Sequence, residues 1–91
     1  MDEAAIKGKL AELRGWQYVD GMLRKTYRFP DFVEALAWVV RVGFIAEQHG
    51  HHPDIDIRWN KVTLALVTHD AGNTITQKDL DVAAAANAIE P

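Results

Sequence analysis

Apolar residues follow two alternating periods along this chain, and the switches between them mark its elements. Ile6, Leu10 and Leu13 share one side of a helix expected over Ala4–Leu13, which Gly15 ends. A period of two follows. Trp16–Val19 and Met22–Phe29 are expected as strands joined at Asp20-Gly21, a pair suited to a tight hairpin. In the second strand Leu23, Lys25, Tyr27 and Phe29 alternate with Arg24, Thr26 and Arg28, so the intruding Lys25 is expected near an edge.

The helical period returns after Pro30, where Asp31 and Glu34 form an acidic capping pair. Phe32, Ala35, Leu36, Val39, Val42, Gly43 and Ala46 make the expected buried stripe, widened by Val33, Ala37, Val40 and Phe44. Trp38 and Ile45 fall on the remaining sector, beside Glu34 and Arg41. A helix apolar on so many sides predicts a second contact, and self-association through the Trp38 and Ile45 sector is expected.

Asp54–Trp59 and Val62–Thr68 form a second hairpin, with its turn expected at Asn60-Lys61. Thr76 caps a last helix running to about Ile89, with Leu80, Ala83, Ala84 and Ala88 facing inward. The order α-β-β-α-β-β-α implies an α+β fold in two layers: a four-stranded antiparallel sheet with three helices packed on one face. A chain of 91 residues suits one domain spanning 1–91.

Composition narrows the chemistry. The chain has no cysteine, which removes thiolate catalysis and disulfides and fits a reducing, cytoplasmic setting. Its start, Met1-Asp2-Glu3, has no apolar signal region, and no stretch is long enough for a membrane span. Net charge is −3 with basic residues scattered, so direct nucleic-acid binding is not expected. A small polar organic substrate suits the balance better.

All four histidines lie within 21 residues, in Glu47-Gln48-His49-Gly50-His51-His52-Pro53 and at His69. Imidazole titrates near neutrality, which makes proton transfer the leading chemistry. Gly50 ends the long helix, Pro53 holds His52 extended, and antiparallel pairing returns Thr68-His69 to His52-Pro53. Glu47 sits one turn before the histidines, where its carboxylate reaches an imidazole or a substrate. Asp79 is three residues beyond Thr76, so helix capping alone accounts for it, although it can also orient a histidine. His49 is explained as a cation at a helix C-terminus, and Asp54 and Asp56 as solvated strand residues. A zinc or iron site built from these histidines and Glu47 is the rival, weakened because adjacent histidines diverge and no HExxH helix is present. No nucleophile elbow is visible.

Glu47-x-x-x-His51-His52-Pro53, Trp59-Asn60-Lys61-Val62, Leu66-x-Thr68-His69, Gly72 and Thr76-x-x-Asp79-x-x-x-Ala83 closely resemble the pterin-4a-carbinolamine dehydratase family. Gly15-Trp16 and Phe29-x-Asp31-Phe32 extend the resemblance over essentially the full chain. The resemblance implies a lyase that dehydrates 4a-hydroxytetrahydropterin to quinonoid dihydropterin and water, recycling a pterin after aromatic amino-acid hydroxylation. It implies no metal and no cofactor, a small-molecule pterin substrate, a homodimer first and a homotetramer second, and a functional link to an aromatic amino-acid hydroxylase. His51, His52 and His69 match the family's active-site histidines, Glu47 and Asp79 its supporting acidic positions, and Trp16 an aromatic close to the pocket. Pro53 and Thr68 belong to the segments whose backbone would read the pterin edges. Two departures stand out: Trp59 where animal members usually have tyrosine, and a turn from His69 to Asp79 one residue longer. An interaction protein and a metal-dependent hydrolase are the competing classes.

Overall fold

Two tight turns set the register of the sheet in the computed structural model, which describes residues 1–91. Asp20 (φ 54°) and Gly21 (φ 79°) both adopt the left-handed backbone that matches the natural twist of a hairpin, and they join β1 (Gln17–Val19) to β2 (Met22–Arg28). The second turn lies one residue earlier than the pattern implied. Trp59 and Asn60 join β3 (Asp54–Arg58) to β4 (Lys61–Leu66), and Lys61 pairs with Arg58. Asn60 fixes this position: its carbonyl accepts from Phe29 N–H at 2.9 Å, and its side-chain amide donates to Phe29 O at 3.0 Å. The turn is thereby tied to the end of β2. Strand order is β1-β2-β4-β3, all antiparallel.

Three helices, α1 (Glu3–Leu10), α2 (Phe32–His49) and α3 (Gln77–Ala88), complete the α+β fold. Asp2 caps α1 by accepting from Ala5 N–H, and Asp31 caps α2 by accepting from Glu34 N–H. The core gathers Leu23, Tyr27 and Phe29 of the β2 segment, Val62, Leu64 and Leu66 of β4, and the inward faces of the helices. No helix is long and apolar enough to cross a membrane.

Three expectations about facing are corrected. Trp38 is buried, whereas Val33, Leu36, Val40 and Phe44 are exposed. The inner stripe of α2 is Ala35, Trp38, Val42 and Ala46, because Trp38 fills the space over Tyr27 and Phe29, with ring centroids at 4.4 and 5.3 Å. Its indole N–H donates to Ile89 O at 2.8 Å, so the whole side chain is satisfied inside. In α3 Val82 and Ala86 face inward, while Ala84 and Ala88 are exposed.

Lys25 lies on a central strand rather than near an edge. The C-terminal segment covers it: Nζ donates to Asn87 Oδ1 (2.7 Å), Glu90 (3.0 Å) and Arg14 O (2.7 Å). Asn87 Oδ1 also accepts from Tyr27 OH (2.6 Å) and Trp16 Nε1 (3.2 Å). Burial, with the nearby Arg14 charge, lowers the Lys25 pKa from 10.5, and burial raises that of Tyr27 from 10.0.

Folded Tyr27 therefore keeps a proton that the unfolded chain gives up near pH 10, so its contribution to stability is present below that pH and lost as pH rises beyond it. Lys25 acts oppositely, since the unfolded chain holds its proton up to 10.5 while the folded chain releases it earlier. In urea titrations between neutrality and strongly alkaline pH, Tyr27→Phe is expected to remove the Tyr27 part of the alkaline destabilisation. An unaltered slope above pH 10 would contradict this assignment.

Candidate active site

Gly50 (φ 59°) ends α2 in the left-handed conformation, and the last helical carbonyls are satisfied from beyond it. Gly50 N–H donates to Glu47 O and His51 N–H donates to Ala46 O, the paired bonds of a Schellman motif. The motif pins His51 at the helix end. Pro53 then leads directly into β3, and β4 runs back beside it. The product is one cleft of about 290 Å³ lined by Gly50, His51, His52, Val67, Thr68, His69, Asp70 and Lys78. Its size is at the lower limit for small organic ligands, about 300 Å³.

Each imidazole in this cleft has one nitrogen held by the protein. His51 Nε2 meets Asp79 Oδ1 at 2.6 Å. An ionised carboxylate only accepts, so this nitrogen carries the hydrogen and Nδ1 is the atom left for a ligand. His52 Nε2 bonds Glu47 Oε2, a pair in which both side chains are largely exposed. His69 Nδ1 meets Asn73 Oδ1 at 2.7 Å, which leaves Nε2.

Asp79 has no exposed surface. Its Oδ2 accepts from Thr76 N–H at 2.9 Å and from Thr68 OH at 2.7 Å, while Thr76 OH lies 2.8 Å from Thr68 Oγ1. Since Thr68 gives its proton to Asp79, Thr76 donates to Thr68. The carboxylate thus caps α3 and also holds His51, the two roles its spacing allowed.

His51, His52, His69 and Thr68 come together at the cleft, with Glu47 and Asp79 behind two of the rings. Trp16 does not join them. It is buried against Tyr27, 6.4 Å between ring centroids, and its N–H is spent on Asn87. Pro53 is partly buried and positions His52 without lining the cleft. The Thr68 hydroxyl is also committed internally, and its N–H and C=O pair with Thr74. Neither group is available to read a ligand edge.

Asn73 and Lys78 are additions that periodicity did not single out. Asn73 (φ 59°) sits in the turn after His69, where no periodic pattern marks it. Lys78 reaches the cleft from the first turn of α3. No group of three or more His, Asp or Glu side chains is arranged to hold a metal ion.

A sequence profile described as pterin 4 alpha carbinolamine dehydratase matches residues 1–89. A relative from Roseiflexus sp. (strain RS-1), provisionally named pterin-4-alpha-carbinolamine dehydratase, is 54% identical over 83 residues, covering 91% of this chain and 88% of its own. One from Chloroflexus aurantiacus with the same provisional name is 47% identical over 89 residues, covering 98% and 95%. The crystal structure of a transcriptional coactivator/pterin dehydratase from Brucella melitensis superposes with a TM-score of 0.93 at 31% identity, covering 100% of this chain and 98% of that one.

The Asp79 hydrogen bonds make a directional prediction for Asp79→Asn. Thr76 N–H and Thr68 OH require an acceptor at the Oδ2 position, so the amide NH₂ must occupy the Oδ1 position and donate to His51 Nε2. The ring should then switch to the Nδ1–H tautomer, visible in ¹⁵N NMR of the imidazole. Retention of the Nε2–H tautomer in the variant would refute the arrangement.

Proposed function

This chain belongs to the pterin 4 alpha carbinolamine dehydratase family, and we propose that it dehydrates a 4a-hydroxytetrahydropterin to the quinonoid dihydropterin by histidine acid–base catalysis. The observation that carries this reading is the convergence of His51, His52 and His69 on one cleft, each with one ring nitrogen engaged and the other left for a ligand. The reaction breaks the bond from C4a to its hydroxyl oxygen. A protonated imidazole gives that oxygen a proton as it leaves as water, the ring nitrogens supply electrons, and loss of a ring N–H proton restores neutrality.

His51, through Nδ1, and His69, through Nε2, are the proton donors to the hydroxyl, serving opposite stereoisomers. His52 binds the pterin and accepts its proton. Asp79 and Glu47 are positioning residues, with Asp79 the stronger because it is buried and itself fixed by two donors. Glu47 acts from solvent, where an exposed pair contributes about 0–1 kcal/mol. The reaction needs no metal or organic cofactor. It belongs with pterin recycling in the cytoplasm, downstream of an aromatic amino-acid hydroxylase.

The protein also acts as a homodimer or a homotetramer. The supporting feature is the outward face of α2, where Val33, Leu36, Val40 and Phe44 stand exposed at helical spacing. This surface replaces the Trp38 and Ile45 sector expected from the pattern.

Chelator-treated protein is expected to accelerate loss of 4a-hydroxytetrahydropterin in a stopped-flow assay. His51→Ala and His69→Ala should each lower the rate about 10²-fold or more while keeping the wild-type circular dichroism spectrum. Undiminished rates in both variants would reject the two donors, and dependence on added metal would reject cofactor independence. Sedimentation of Val40→Glu/Phe44→Glu is expected to show a smaller species than wild type; an identical mass would remove α2 from the interface.

A further inference from the structure

The solvent face of the sheet carries a charge arrangement that the histidine cleft does not use. Register places Arg28 opposite Lys61 and Lys61 opposite Arg58, so three cations stand side by side across β2, β4 and β3. All three are exposed. Like charges directly opposite one another destabilise a sheet, and here two such pairs share Lys61. Arg58 alone is compensated, by Asp56 at 3.1 Å; no carboxylate lies within ion-pair distance of Arg24, Arg28 or Lys61. This concentration occurs in a chain of net charge −3.

The next row inward is polar: Thr26, Thr63 and Asp56 stand side by side, and its one carboxylate is paired with Arg58. Thr26 and Thr63 face each other with hydroxyl oxygens 2.8 Å apart, and Arg24 closes the far side. Together these residues line a groove of about 380 Å³ with no hydrophobic member. An apolar partner has nothing to contact there.

We propose that this groove binds a small oligophosphate, an anion with two or three linked phosphoryl groups. Adjacent strands are about 4.8 Å apart, so the row of three cations spans about 10 Å. A lone phosphate reaches one or two of them, whereas a triphosphate chain reaches all three. Arginine adds paired donors matched to phosphoryl oxygens, and the threonine hydroxyls supply neutral ones. Bound anion relieves the repulsion within the row, so ligand-free protein carries a destabilisation that binding removes. The groove's lining residue nearest to His52 in the chain, Asp56, lies four residues away, about 13 Å in an extended strand, and the groove does not depend on the proposed dehydration.

The test is titration of the full chain with sodium tripolyphosphate at low ionic strength, followed by ¹⁵N NMR. Amide shifts are expected at residues 24–28 and 58–63 and not at 50–53 or 67–69, with affinity about tenfold above that for orthophosphate. Lys61→Gln should weaken tripolyphosphate about tenfold, yet leave the melting temperature of ligand-free protein at or above the wild-type value. ATP, as second probe, distinguishes sources: equal affinity assigns recognition to the phosphate chain, and tighter binding adds the nucleoside. Equal affinity for orthophosphate, shifts scattered over the surface, unaltered affinity in Lys61→Gln or a lowered melting temperature in that variant would each overturn the assignment.

Discussion

A carboxylate removed from water is tolerated only when hydrogen bonds replace its hydration, and Asp79 has three such bonds from three parts of the chain. Thr68 reaches it from the end of β4, Thr76 from the helix it caps, and His51 from the terminus of α2. The same carboxylate therefore joins the final helix to the hairpin and sets the direction of the His51 ring. Removing the carboxylate would strand several donors at once, each worth about 1–3 kcal/mol when buried without a partner. Stability and chemistry meet at this residue.

The remaining geometry follows from backbone devices rather than from side-chain packing. A left-handed Gly50 stops α2 and delivers His51, Pro53 starts β3, and the antiparallel return of β4 delivers His69. Rings 17 and 18 positions apart along the chain reach one cleft because a single hairpin folds between them. The three positions then differ in setting: His51 is backed by a buried carboxylate, His52 by an exposed one, and His69 by a neutral amide.

Features governed by local chemistry were legible in the sequence. Asp20-Gly21, the Asp31 cap, the Gly50 stop and the convergence of Thr68-His69 on the His-His-Pro segment all depend on a few neighbouring residues, and the structure has each of them. Rotation of α2 was not legible, because a helix with apolar residues on most sides has no single periodic solution. Burial of Trp38 is decided by the shape of the space above Tyr27 and Phe29. The second turn was misplaced by one residue because Trp59 (φ 48°) adopts a conformation uncommon for a bulky side chain. Trp16 was drawn to the cleft by likeness, whereas its indole N–H is committed to Asn87. Asn73 escaped notice because turn residues show no repeat.

Asn87 gives α3 a mechanical role. Its amide oxygen gathers donors from Trp16, Lys25 and Tyr27 at one end of the helix, while Asp79 grips His51 at the other. Eight residues of helix separate the two anchors, about 12 Å of rigid rod. Loosening the distal anchor would let the rod pivot and carry Asp79, with the His51 ring it holds, out of place. The placing of His51 at the cleft thus rests partly on a knot of polar groups at the far end of the helix.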